Sequence, residues 1–243
     1  MSIQIIFATG NKNKVREIRE IITRPDVSVV TMKEAGVAAD PEEDGTSFAD
    51  NALIKARAVH RLVLRAEAEG RLPGQKDGVT NIIMSDDSGL VVDALGGEPG
   101  IYSARYLGRD TDYNYKMRYI MDRLKDTPWE ARTARFTAAV AAVLPDGTSY
   151  TAVGHMEGYI GYEIAGENGF GYDPFFYLPE YGKTSAEITE EEKNAISHRG
   201  KALRAMLSLF DTWKQSGATA KDADTASVLN SASACAEACG DNK

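Results

Sequence analysis

Cysteine is nearly missing from this chain: Cys235 and Cys239 are the only two, and both sit in a terminal stretch rich in Ala, Ser, Thr and Asp. That excludes a disulfide-stapled scaffold. Their distance in sequence from the three histidines matches no zinc-ligand pattern, so free thiols are the plain reading. Long apolar runs are missing too. No segment approaches the ~20 residues of a membrane-spanning helix. Met1 to Ala8 has neither the basic n-region nor the small-residue cleavage site of a signal peptide. The expectation is a soluble cytoplasmic protein with no membrane partner. Excess positive charge is the third absence. Lys and Arg number 28 against 36 Asp and Glu, a formal net charge of -8, which opposes the counterion release that drives binding to a nucleic acid backbone. Nucleic acid is therefore not the expected partner, and a small polyanionic ligand would need a local basic site or a metal. What is present is apolar material, 43% of the residues, enough for one large domain or two closely packed lobes.

Local patterns place the elements. Ile3 to Ala8 is a β-branched run ending at Thr9-Gly10-Asn11, and helical periodicity follows through Val15, Ile18, Ile21 and Ile22. Val27 to Thr31 reads as a second strand. After the acidic turn Pro41 to Gly45, a long helix is predicted from Ser47 to about Ala68, with Phe48, Ala52, Lys55, Ala56 and Val59 sharing its spacing. Gly70 to Asn81 has the Gly and Pro content of an exposed loop; a short strand, Ile82 to Met84, comes next, and then a tight polar turn. Asp112 to Leu124 is helical. Ala131 to Leu144 and Thr148 to His155 read as strands joined by Pro145-Asp146-Gly147, a hairpin that predicts an antiparallel portion. Gly158 to Ile164 and Phe175 to Leu178 add short strands, and Glu191 to about Trp213 has the acid-first, basic-later charge order of a helix. There is no internal repeat. Mixed strands and helices around a hairpin indicate an α/β fold with a long mixed sheet. The expected domain is 1–214; the remainder, 215–243, has few large apolar residues and reads as a disordered tail.

Four constellations could carry chemistry. Thr9-Gly10-Asn11-Lys12-Asn13-Lys14 joins a strand to the first turn of a helix, where free backbone N–H groups and the positive dipole end favour an anion. It lacks the GxxxxGK[ST] spacing of a P-loop, and a capped turn with solvated lysines is the plain alternative. Carboxylates stand on two separate segments: Glu42, Glu43 and Asp44 after Pro41, and Asp86-Asp87 at what reads as a strand end, where open α/β sheets place ligands. One acid from each segment would serve magnesium, which takes one or two carboxylates plus waters and phosphates; the alternative is a solvated acidic turn. Phe170, between Gly169 and Gly171 and followed by Tyr172 and Asp173, offers a ring for a planar base; the alternative is aromatic residues that plug the core. Finally, Lys193, Ser197, His198 and Arg199 present hydrogen-bond donors for base carbonyls and phosphate oxygens, with Lys193 and Ser197 on one helical face. The alternative is a solvated basic helix with a structural histidine.

TGNKNK, EEDGTSFADNALIKA, SDDSGLVVDALGGEPGIYSARY, GFGYDP and EEKNAISHRGKAL, in that order and spacing, resemble the inosine triphosphate pyrophosphatase family over about Ile3 to Phe210. The loop Glu67 to Thr80 and the tail after Trp213 have no counterpart in that pattern. The resemblance implies an elongated mixed β-sheet with helices forming two lobes around a central cleft, generally as a homodimer. The implied reaction is hydrolysis of ITP, dITP or XTP between the α and β phosphates, with Mg2+ as cofactor. By motif, Thr9, Asn11 and Lys14 carry over as triphosphate contacts, in a substrate loop that includes Gly10, Lys12 and Asn13. Glu43 and Asp87 carry over as metal ligands. Asp87 is also the implied general base, with Asp86 assisting. Ser88 is an implied substrate contact, Phe170 with Gly171 the base-stacking element, Tyr172 and Asp173 the pocket wall, and Lys193, His198 and Arg199 donors to base and phosphates. A pyrophosphatase with another base preference, and a nucleotide-binding module without turnover, are the competing readings; the second predicts loss of Glu43 or Asp87, and both are present.

Overall fold

A computed structural model describes residues 2–72, 78–215 and 228–230. In chain order the elements are β1 (Ser2–Phe7), α1 (Lys12–Ile21), β2 (Val27–Thr31), α2 (Phe48–Ala68), β3 (Val79–Val92), α3 (Tyr113–Arg123), β4 (Thr133–Val143), β5 (Ser149–Ile160), β6 (Phe176–Leu178), β7 (Lys183–Thr184), α4 (Glu190–Ile196), α5 (His198–Gln215) and β8 (Val228–Asn230). One open sheet has the order β2-β1-β3-β4-β5-β6-β7, with β8 paired to β5. It is mixed: β1 is parallel to β2 and to β3, whereas β6 is antiparallel to β5 and to β7. Two compact units divide the chain, one of residues 1–87, 139–154 and 200–243, the other of 88–138 and 155–199.

In the first unit the strands are covered on both faces, which explains their near-continuous apolar runs. Ile3, Ile5, Phe7, Ile82 and Met84 join one core with Ile18 of α1 and Leu203, Met206 and Phe210 of α5. Their neighbours along the same strands, Ile6 and Ile83, point the other way into a second core with Ala52, Ala56, Val59 and Val63 of α2. Alternation with a period of two thus feeds two cores from one sheet. In the second unit Leu90, Val92, Phe136, Met156, Ile160 and Phe176 pack with Met117 and Ile120 of α3. Arg132 is buried there and donates to the carbonyls of Leu124, Ile160 and Gly161 at 2.7, 2.7 and 3.0 Å.

Helix starts follow their caps. Asn11 accepts from the backbone of Asn13 and Lys14, Ser47 from Asp50, Asp112 from Asn114, and Thr189 with Glu192 closes a capping box on α4.

Several expectations need correction. The strand expected over Ile82 to Met84 is a 14-residue strand that starts at Val79 and runs through Asp86-Asp87-Ser88-Gly89 to Val92. The polar turn is not formed, and the two aspartates lie inside a strand rather than at its end, because buried partners satisfy them there. The helix expected from Glu191 to Trp213 is two helices; Ser197 between them is extended, with ψ 151°, so it does not share a helical face with Lys193. Gly158 to Ile160 is the end of β5, not the start of a separate strand. Much of the 215–243 segment, with Cys235 and Cys239, lies outside the described residues, whereas Val228–Asn230 pairs in parallel with Thr151–Val153 of β5. The Gly70 to Asn81 loop also falls partly outside them, at 73–77.

Candidate active site

In the first unit, β1 delivers Thr9 and Gly10 to the start of α1, where Thr9 Oγ1 accepts from the Asn11 N–H at 3.2 Å. Asn11 does cap the helix, as the plain alternative has it. Lys14, however, is not solvated: its ammonium reaches Asp86, at 3.1 Å from either carboxylate oxygen, and the Asp86 side chain is fully buried. Lys12 and Asn13 are exposed. Lys12 has no ion-pair partner among the described residues and, with Thr9, Gly10, Arg16, Arg19 and Lys33, lines a cavity of about 650 Å³.

Asp87 is joined to the acidic segment through α2. Lys55 Nζ lies 3.2 Å from Glu43 Oε2 and 3.4 Å from Asp87 Oδ1, a single cation between two carboxylates. Asn51, one turn earlier and fully buried, donates from Nδ2 to Asp87 Oδ2 at 3.3 Å. Burial pushes the Asp87 carboxyl above its ordinary value and the charges of Glu43 and Asp86 add to that, while Lys55 and Lys14 oppose it. Sequence reasoning singled out neither Asn51 nor Lys55 as a functional residue. The signal was there: they stand four residues apart, as Ala52 and Ala56 beside them do, and polar residues next to a core-facing stripe call for partners.

In the second unit, Lys193, His198 and Arg199 are 5, 7 and 2% exposed, so the solvated basic helix is excluded. Asp173 organises the cluster. Its Oδ2 accepts from Lys193 Nζ at 2.6 Å and from the Phe170 N–H at 2.7 Å, and its Oδ1 from Ser185 Oγ at 2.7 Å. Gly169 makes this approach possible: it has φ 72°, and a Cβ there would collide with the Asp173 carboxylate. The half-buried Phe170 ring has Lys193 Nζ 5.3 Å and the Arg199 guanidinium carbon 5.7 Å from its centroid. Arg199 also donates to Ser88 Oγ at 3.1 Å, and His198 stacks on Phe136 with centroids 5.0 Å apart. Gly171 takes a positive φ of 71°. Tyr172 is buried in the core and its hydroxyl donates to the Ser103 carbonyl, so its ring fills the interior and its polar tip is already used.

Chemically, the first cluster gathers carboxylates and ammonium groups suited to a phosphate chain and a hard cation; the second offers an aromatic face edged by cationic donors. The open mixed sheet with helices is an α/β fold. The chain belongs to the Ham1 family, whose model matches residues 5–209. It is 43% identical over 209 residues to a dITP/XTP pyrophosphatase of Desulforamulus reducens, covering 86% of this chain and 96% of that one. To the dITP/XTP pyrophosphatase of Bacillus subtilis it is 40% identical over 208 residues, with 86% and 97% covered. Among solved structures, the Staphylococcus aureus Ham1 protein superposes with a TM-score of 0.71 at 33% identity, covering 86% of this chain and 98% of that one. The nucleoside-triphosphatase, or dITP/XTP pyrophosphatase, of Mycobacterium abscessus gives 0.60 at 38% identity, with 85% and 99% covered.

Proposed function

We propose that this protein hydrolyses the non-standard purine nucleoside triphosphates ITP, dITP and XTP to monophosphate and pyrophosphate, with Mg2+ as cofactor, and so clears them from the cytoplasmic nucleotide pool. The names of its relatives support the substrate class. A homodimer belongs to the same reading. The observation that carries it is Lys55 Nζ between Glu43 and Asp87, at 3.2 and 3.4 Å: two carboxylates from distant segments already share one cation.

The donors at this place, the carboxylates of Glu43 and Asp87, are hard oxygens. Magnesium suits such a set, since it keeps waters and substrate phosphates in most of its coordination positions. Glu43 and Asp87 would hold it. When bound, it supplies positive charge against the phosphate oxygens. Lys14 and Lys55 neutralise further charge on the triphosphate. Asp87 takes the proton of the attacking water as its oxygen bonds to the α phosphorus and the bridge to the β phosphate breaks.

Phe170 stacks on the base, and Lys193 and Arg199 donate at its edge. The bond from Lys193 to Asp173 holds the ammonium beside the Phe170 ring. A keto oxygen at position six accepts such a bond; the amino group of adenine cannot, and buried donors would be left unsatisfied. Purified protein with Mg2+ should therefore turn over ITP and XTP with a kcat/KM at least roughly a hundredfold above that for ATP, and release pyrophosphate. Comparable constants for ATP and ITP would refute the base selectivity. Orthophosphate as the first product would refute the site of cleavage.

A further inference from the structure

Asn51 has no part in the scheme above, yet it joins two of the segments that the scheme uses. Its side chain is completely buried. The amide has one acceptor and one donor side, and each meets a different segment. Oδ1 accepts from the Gly45 N–H at 2.9 Å, in the loop that carries Glu43, and Nδ2 donates to Asp87 Oδ2 at 3.3 Å. The partners fix the orientation of the amide, because a backbone N–H can only donate and a carboxylate can only accept. Gly45 is shaped for this contact: a Cβ there would lie 2.7 Å from Asn51 Oδ1 and 2.6 Å from Asp50 Cβ. Lys55, one turn further on, binds the other Asp87 oxygen, Oδ1, and also Glu43. Both oxygens of Asp87 are thus held by α2, one by a cation and one by a neutral amide.

The lysine is a poor candidate for the fixed point. Its ammonium already holds positive charge between Glu43 and Asp87, so a divalent cation held by the same two carboxylates would compete with it. The amide carries no charge and has no such competitor. We propose that Asn51 is the positioning residue of this site: it sets the orientation of Asp87 and ties the Glu43 loop to the same helical turn, so that the two carboxylates keep their spacing with or without a ligand. This rests on the reading of Glu43 and Asp87 as metal ligands and of Asp87 as base. Partners that orient metal-binding carboxylates from behind commonly contribute ten- to a hundredfold in affinity or rate.

Three variants of the full chain test it. Asn51→Leu keeps approximate size and removes both bonds. Asn51→Asp keeps the acceptor for the Gly45 N–H and replaces the donor facing Asp87 with a second acceptor. Gly45→Ala displaces the amide without changing it. For each, melting temperature, kcat and KM for ITP, and binding of Mn2+ alone to the metal-free protein are measured. Asn51→Leu should lower kcat by about ten- to a hundredfold, leave KM within about threefold and weaken Mn2+ binding by about tenfold. Asn51→Asp, which faces Asp87 with a second carboxylate, should weaken kcat at least as far as Asn51→Leu. A purely structural role predicts that kcat in each variant follows its melting temperature while Mn2+ binding to the folded protein stays as in wild type, and that result overturns the proposal. If neither Asn51 variant folds, Gly45→Ala decides: a normal kcat with normal Mn2+ binding overturns it, and a reduced kcat at unchanged KM supports it. Asp87→Asn is run alongside. Should it keep full activity, the assignment of the base has failed; should it be inactive while the Asn51 variants match wild type, only the positioning role has failed.

Discussion

Asp173→Asn tests the base-binding cluster most directly, because shape is preserved while one negative charge is removed. Asp173 and Lys193 are 4 and 6% exposed at the side chain and 2.6 Å apart. In wild type the carboxylate also holds the Phe170 N–H and Ser185 Oγ, each at 2.7 Å. The asparagine amide has one acceptor oxygen, so it cannot serve all three donors, and the buried Lys193 ammonium loses the Asp173 charge. Breaking a buried pair by removing one partner costs about 3–5 kcal/mol. In a chain of this size each kcal/mol corresponds to roughly 2–4 °C, so the melting temperature should fall by roughly 6–20 °C. Because the lost partner of the Phe170 backbone lies next to the stacking ring, KM for ITP should rise more than kcat falls. Differential scanning calorimetry and steady-state kinetics read both. The double variant Asp173→Leu with Lys193→Met removes both buried charges and should be less destabilised than Asp173→Asn alone. A single variant within about 2 °C of wild type, or a double variant less stable than the single, would refute the reasoning.

Asp87→Asn should lower kcat by at least about two orders of magnitude with nucleotide binding retained, the usual scale for a lost general base; near-normal turnover at saturating Mg2+ would move the role to Asp86. Glu43→Gln should instead raise the Mg2+ concentration needed for half-maximal rate, so that added metal restores part of the activity; a loss that no metal concentration relieves would count against a ligand role. Asp26 is held well below the ordinary carboxylate range by the Arg24 guanidinium and then by Lys214. Its contribution is therefore present above the unfolded value of about 3.9 and is lost as pH falls below it, so Asp26→Asn should flatten the decline of melting temperature in acid; an unchanged slope would contradict this. Truncation after Gln215 should leave activity intact and shift the melting temperature by no more than a few degrees, because the described part of what it removes, Val228–Asn230, pairs with β5 over three residues; a larger drop would overturn this.

Much of the fold is written locally. The β-branched run before Thr9, the cap at Ser47 three residues before Asp50, the cap at Asp112 and the turn between β4 and β5 each name an element without reference to anything distant. The family motifs likewise place Glu43, Asp87, Phe170 and Lys193 in regions that the structure shows to be charge-paired or stacked. Other features have no local signature. Ser85 to Gly89 has the composition of a turn, and only burial explains why it is the middle of a strand: Ser85 hydroxyl donates to the Ala52 carbonyl, and Asp86 pairs with Lys14, 72 residues away. Periodicity in α2 shows that Asn51 and Lys55 stand near its apolar stripe, but not that Asp87, 36 and 32 residues further on, waits there for both. Lys193 and Arg199 look solvated to any composition rule, and become buried because Asp173 and Ser88, 20 and 111 residues away, receive their protons. Sequence alone determined where the chain can turn, coil or extend, since those choices depend on neighbours within a few residues. Tertiary structure alone decided which polar groups could leave water, since a buried charge is tolerated only where a distant segment supplies its partner.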